Sequence, residues 1–228
     1  MKKVIVISLG GSQIIPNNIN LKYLKEFKKI LLKNTNKYKF IIVCGGGSIA
    51  RKYISALKEQ DINKKLQSFA GISATRMNAR FMSYLFNIES KKGIPHTLNN
   101  LKKYVKNQPI TFCGALEYKP NQTSDSTAAQ IAKEFNSKFI NLTNVKGLYT
   151  KNPKKFKNAR FIPEINYKDF HKMANKSKFT PGQHFVLDQT ASKIILKNKI
   201  KTYILGKLSD LDKLLKNQKF TGTTIYEK

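Results

Sequence analysis

Two glycine clusters carry the first chemical signal in this chain: Leu9-Gly10-Gly11-Ser12 and Cys44-Gly45-Gly46-Gly47-Ser48. Glycine lets the backbone turn sharply and lets a bulky anion come close to main-chain N–H groups. A third cluster, Thr123-Ser124-Asp125-Ser126, puts hydroxyl and carboxylate oxygens where a helix begins, and these accept hydrogen bonds from the first-turn amides. Two glycine loops and a helix N-terminus brought to one sheet edge would make a polyphosphate site.

Lys3–Leu9 and Phe40–Cys44, which deliver the two glycine clusters, are continuous apolar runs ended by glycine, the pattern of buried parallel strands. Helical spacing predicts helices over about 20–33, with Asn17, Asn18 and Asn20 as candidate caps, and from Ser48 with Ala50, Tyr53, Ile54 and Leu57 on one face. Strand, helix, strand, helix is the grammar of a parallel α/β sheet. Further on, a helical stretch over 64–88 is expected to break or pivot at Gly71, with a short strand at Ile94–Thr97 and a helix over 98–105. Strands at 109–114 and 139–142 flank the helix opened by Thr123. Beyond Pro153 the chain reads as loop up to a helix over 166–175, with a mobile segment over 175–183. A helix over 187–199, a strand over 201–205, a helix over 209–216 and a last strand near 222–225 complete the pattern.

The composition excludes several classes. With 228 residues, 40% hydrophobic and 11% aromatic, the chain can bury a substantial core. No apolar run approaches the ~18 residues of a membrane helix, and the N-terminal run lacks the cleavage pattern of a signal peptide. Cys44 and Cys113 fall in expected buried strands and read as free thiols, which together place the chain in the cytoplasm. The net charge of +30 could serve a polyanion, yet only Arg51, Arg76, Arg80 and Arg160 are arginines, and the lysines are scattered. Arginine-poor, unclustered charge disfavours a nucleic-acid reader and still attracts nucleotides.

Other motifs fail on context. Gly45-x-Gly47-x-x-Ala50 matches a dinucleotide fingerprint in form, but more helix follows where that fold needs a strand ending in an acidic residue. There is no G-x-x-x-x-G-K-[ST] and no zinc-ligand spacing, and His96, His171 and His184 stand apart as surface or packing residues.

Five motifs in order resemble the amino acid kinase superfamily: Leu9-Gly10-Gly11-Ser12; the triple glycine with Ala50-Arg51-Lys52-Tyr53; Thr123-Ser124-Asp125; Thr143-Asn144-Val145-x-Gly147-Leu148-Tyr149; and Gly222-Thr223. Within it the chain is most similar to archaeal UMP kinases, nearly end to end. The resemblance implies a three-layer α/β/α sandwich, one domain over 1–228, with a mainly parallel sheet of about eight strands. It implies ATP- and magnesium-dependent phosphorylation of UMP to UDP in pyrimidine nucleotide biosynthesis, and assembly into hexamers. Gly10, Gly11 and Ser12 would hold the transferring phosphoryl group, Gly46 and Gly47 would lie at the UMP phosphate and the reaction centre, and Arg51 would bind phosphate oxygens. Thr123 and Ser124 would bind the UMP phosphate, and Asp125 would be the organising carboxylate. Thr143, Asn144, Tyr149 and Asn152 correspond to the ATP pocket, and Asp188 and Gly182 to later site positions. No side chain is assigned as a direct metal ligand.

The chain departs from the family pattern at four residues and in the loop before Pro120, which is about three residues longer than usual. Ser8 stands where many members have lysine, and Ser68 where an acidic residue meets the ribose; Lys146 and Asn152 replace aspartates near the ATP pocket. Another superfamily phosphotransferase, such as an isopentenyl phosphate kinase, and a non-catalytic nucleotide- or anion-binding relative are the alternatives.

Overall fold

Alternation along the first strands decides how the layers form. In β1 (Lys3–Leu9), Ile5, Ile7 and Leu9 turn to one side and Val6 to the other, and in β2 (Tyr38–Cys44) Phe40, Ile42 and Cys44 oppose Ile41 and Val43. Both faces are apolar, so both must be covered by helices. The computed structural model describes residues 2–88, 93–120, 122–153, 155–176 and 186–227. In it the first face packs on α2 (Leu21–Lys33) through Leu24, Phe27 and Leu31, on α4 (Lys64–Leu85) through Ala79 and Met82, and on α9 (Leu208–Leu215). The second face packs on α5 (Leu98–Asn107), α6 (Ser124–Glu134), α7 (Tyr167–Asn175) and α8 (Gln189–Asn198).

Among the described residues seven strands form the sheet, in the order β3-β2-β1-β4-β8-β9-β7, with β3 (Ile110–Cys113), β4 (Lys138–Leu142), β7 (Glu164–Asn166), β8 (Thr202–Leu205) and β9 (Thr223–Tyr226). The β1–β2, β1–β4, β2–β3, β4–β8 and β7–β9 pairs are parallel and β8–β9 is antiparallel. A separate antiparallel ribbon joins β5 (Leu148–Tyr149) to β6 (Phe161–Ile162). Chain direction across the sheet reverses beside β1: β2 and β3 lie on one flank and β4 on the other. Open sheets bind ligands beyond the carboxyl ends of strands at such a switch point.

The structure corrects several expectations. The α4 helix runs without a break through Gly71, whose missing side chain admits Ile54 of α3 (Gly47–Glu59); a Cβ there would lie 3.2 Å from the Ile54 Cδ1 atom. Ile94–Thr97 is irregular rather than a strand: Ile94 is buried, but Pro95 has no N–H for a ladder. The stretch beyond Pro153 contains β6 and β7, two and three residues long, too short for periodicity to reveal. Of the segment expected to be mobile, residues 177–183 lie outside the described residues, as does His184. His171 is a packing residue, with its Nδ1 atom 2.9 Å from the Ser192 hydroxyl. Cys44 and Cys113 are buried free thiols, and burial pushes the Cys113 thiol up to about 12 and that of Cys44 well above its ordinary range. Among the described residues no helix is long and apolar enough to cross a membrane.

Candidate active site

The carboxyl ends of β1, β2 and β4 open into a cleft of about 730 Å³, within the usual size range of ligand sites. Both glycine loops line it, and they touch each other through backbone alone. A Cβ at Gly11 would lie 2.0 Å from the Gly47 nitrogen, and one at Gly45 would lie 2.4 Å from the Gly11 nitrogen. Gly47 has φ of +64°, a conformation that side chains resist, and it begins α3. Only glycine permits this double turn, which brings Gly46 and Gly47 at the start of α3 to the cleft wall, while the Ser48 amide donates to the Ile15 carbonyl at 3.0 Å.

The α6 helix supplies the opposite wall. Thr123 caps it, accepting from the Asp125 and Ser126 amides at 3.1 and 3.3 Å, and Ser126 closes the capping box by accepting from the Thr123 amide at 2.7 Å. The Thr123 hydroxyl also donates to Asp188, which in turn caps α8 by accepting from the Ala191 amide at 2.8 Å. Ser124 and Asp125 line the cleft.

Asp125 accepts on its Oδ1 atom from the Ser8 hydroxyl at 2.7 Å and from the Asn141 side-chain amide at 3.3 Å. Burial raises its pKa to about 7, the Asp188 charge adds to the rise, and the Ser8 hydrogen bond opposes it. Ser8 is fully buried and turned to Asp125; it does not occupy the cleft as a lysine at that position could. Among the described residues the basic side chains that line the cleft are those of Arg51 and Lys151. Arg51 is exposed and donates to the Pro16 carbonyl at 3.2 Å, fastening α3 to the loop after the short helix α1 (Gly11–Ile14).

The third wall is the β5–β6 ribbon with the turn before it. Thr143, Asn144, Gly147, Tyr149 and Asn152 all line the cleft. Tyr149 packs on Phe161 with ring centroids 5.5 Å apart, and Lys146 lies over the other ring of that pair, 5.3 Å from the Phe161 centroid. Thr223 pegs the ribbon to the sheet: its hydroxyl accepts from the Leu148 amide at 2.7 Å and donates to the Ile162 carbonyl at 2.5 Å. The Gly222-Thr223 motif thus supports the ribbon and does not line the cleft.

The cleft therefore gathers Gly10, Gly11, Ser12, Gly46, Gly47, Arg51, Ser124, Asp125, Thr143, Asn144, Tyr149 and Asn152. Thr123 stands just behind it, and Gly182 is outside the described residues. Ser68 is apart: it is exposed on α4, its hydroxyl donates to the Lys64 carbonyl at 2.8 Å, and it does not line the cleft. Sequence reasoning missed Asn141 and Lys151. For Asn141 the signal was present, a polar interruption of an apolar strand at the position that alternation turns toward α6; for Lys151, one exposed lysine among many, there was none.

Among the described residues no three acidic, histidine or cysteine side chains converge as a metal cage. Asp125 is the acidic side chain lining the cleft. A magnesium ion, which takes one or two carboxylates and otherwise phosphate and water oxygens, would find the Asp125 carboxylate there.

The model of the amino acid kinase family matches residues 3–206. A uridylate kinase of Thermoplasma acidophilum is 34% identical, over 99% of this chain and 97% of its own, and one of Thermoplasma volcanium is 35% identical over the whole of both. Among solved structures, the uridylate kinase from Archaeoglobus fulgidus matches with a TM-score of 0.84 and 31% identity, covering 99% of this chain and 100% of that one. The UMP kinase from Ureaplasma parvum matches with a TM-score of 0.80 and 26% identity over the whole of both chains.

Proposed function

The chain belongs to the amino acid kinase family, and from that premise we propose that it is a nucleoside monophosphate kinase transferring the γ-phosphoryl group of magnesium-bound ATP to UMP. The observation that carries this reading is the convergence of two glycine loops, the N-terminus of α6 and the β5–β6 ribbon on one cleft. The full-length likeness to uridylate kinases names the acceptor.

A phosphate monoester is already largely deprotonated at neutral pH, so the attacking oxygen needs no side-chain base. The work is alignment and charge stabilisation. Backbone N–H groups of Gly11 and Ser12 hold the transferring group, while Gly10, whose own N–H donates to the Leu142 carbonyl at 3.3 Å, ties the start of the loop to β4. Gly46, Gly47, Arg51 and Ser124 hold the UMP phosphate, and Thr123, whose hydroxyl donates to Asp188 and whose amide donates to Ser126, sets the α6 N-terminus from behind. Asp125 orients the centre. Thr143, Asn144, Tyr149 and Asn152 receive ATP, with Tyr149 against the adenine. Magnesium on ATP supplies the principal positive charge that the Ser8 position does not. Asp188 serves from behind, through Thr123.

The domain spans 1–228, and the buried thiols suit the reducing cytoplasm. Assembly, a hexamer on the family's pattern, is supported by large apolar side chains left exposed on α3 and α4: Tyr53, Leu66, Phe69, Met77 and Tyr84.

A coupled ADP-release assay with ATP, magnesium and each nucleoside monophosphate tests the reading. UMP should give the highest kcat/KM. Another preferred acceptor would keep the kinase and change the substrate; tight UMP binding with no ADP formed from any acceptor would make the chain a non-catalytic relative.

A further inference from the structure

Ser8 of β1 and Asn141 of β4 are register partners across a parallel strand pair. Each is a polar break in an apolar strand, flanked by Ile7 and Leu9 or by Ile140 and Leu142, whose side chains enter the core on the other face. Ser8 is fully buried and Asn141 is 3% exposed. Burying two polar side chains at the centre of a sheet is unfavourable unless their hydrogen bonds are made well.

They are made to one atom. Both donate to the Oδ1 atom of Asp125, and the same Asn141 nitrogen also donates to the Val186 carbonyl at 3.0 Å. Val186 precedes Asp188, the cap of α8 and the partner of Thr123. One amide therefore joins β4, the first turn of α6 and the approach to α8. With both donors on Oδ1, the Oδ2 atom of Asp125 is the oxygen left for the reaction centre.

We propose that Asn141 is a positioning residue for phosphoryl transfer: with Ser8 it fixes the Asp125 carboxylate toward the cleft, and through Val186 it fixes the approach to α8. This rests on the kinase reading of the same cleft. Asn141 sets how Asp125 is presented at the transferring group, while the UMP phosphate is held by other side chains, so its loss falls on kcat rather than on the KM for UMP.

The test compares wild type with Asn141→Leu, Asn141→Asp and Asn141→Ser, measuring kcat and KM for UMP alongside thermal unfolding. The expected result is a fall in kcat of about tenfold or more in each variant, with the KM for UMP held within about twofold. Asn141→Asp should be the worst, although it preserves volume best, because it turns the donor into an acceptor facing a carboxylate and a carbonyl. A packing role predicts the reverse order, with Asp milder than Leu. The shorter Asn141→Ser, which cannot span the same partners, carries the test if either of the others fails to fold. A folded variant with wild-type kcat, a loss confined to KM, or Asp milder than Leu would overturn the inference while leaving the kinase reading intact. Wild type that makes no ADP from any acceptor would instead bring down the functional reading, and this inference with it.

Discussion

The glycine loops and the β5–β6 ribbon line the same cleft and are built on opposite principles. The loops meet backbone to backbone, so closely that one methyl group at Gly11 would overlap Gly47. The ribbon is held by side chains: a tyrosine on a phenylalanine, a lysine over the same phenylalanine, and a threonine peg beneath. Backbone contact fixes the position of main-chain amides and tolerates no added atom. Side-chain contact can be remade with different residues.

The sharpest way to break this contrast is Gly11→Ala. Its Cβ would meet three backbone atoms of Gly45 and Gly47, 2.0 to 2.8 Å away, so the two loops would have to separate. The expected cost is above about 4 kcal/mol of stability, with loss of ADP formation. Gly10→Ala is the control, because its nearest contact, the Leu142 carbonyl oxygen, lies at 3.1 Å and leaves room for a small adjustment. Thermal unfolding of both variants decides the matter; a stable, active Gly11→Ala protein would mean the loops are not locked together.

Next in size is Asp125→Asn, which separates stability from function within the rigid region. In the folded, ligand-free protein the Asp125 carboxyl keeps its proton up to about pH 7, whereas an ordinary carboxyl loses it near 3.8. The folded state therefore binds more protons between those values, and this group's contribution to stability falls as pH rises from about 4 to about 7, then levels off. Asn removes that loss while still accepting from Ser8 and Asn141. The variant should be more stable than wild type at pH 8, by on the order of 1 kcal/mol or more, and equal to it near pH 4. Its kcat should nonetheless fall by about a hundredfold or more. Chemical denaturation at the two pH values, beside the ADP assay, checks both halves; a less stable variant at pH 8 would show that the carboxylate is better satisfied than its burial implies.

How far the sequence could be read divides along the same line. Strand β1, strand β2 and their glycines were legible because an apolar run ended by glycine is a local pattern, and the Thr123 cap was legible because its partners lie within three residues. The ribbon was not, since β5 and β6 are two residues each and exist only through their pairing with one another and the Thr223 peg, which comes about 75 residues after Leu148 in sequence. In the sequence Ser8 reads only as a position without a lysine. That it is a buried donor to Asp125 depends on the register of β1 against β4, which neither strand encodes alone.

The smallest expected effect belongs to Lys151, and it sharpens the comparison from the tolerant side. Lys151 lines the cleft but is exposed, with its ammonium 5.7 Å from the centroid of the Phe156 ring. An exposed ammonium is well hydrated and screened, so near ATP it acts as a diffuse attraction rather than a fixed contact. Lys151→Ala should raise the KM for ATP about two- to fivefold at low salt and leave kcat nearly unchanged. The difference from wild type should shrink as ionic strength rises, because the Debye length falls from about 10 Å at 0.1 M to about 3 Å at 1 M. A hundredfold fall in kcat that salt does not relieve would have a different meaning: Lys151 would then close over the transferring group as the charge that Ser8 lacks, and the ribbon would belong to the reaction centre as much as the glycine loops do.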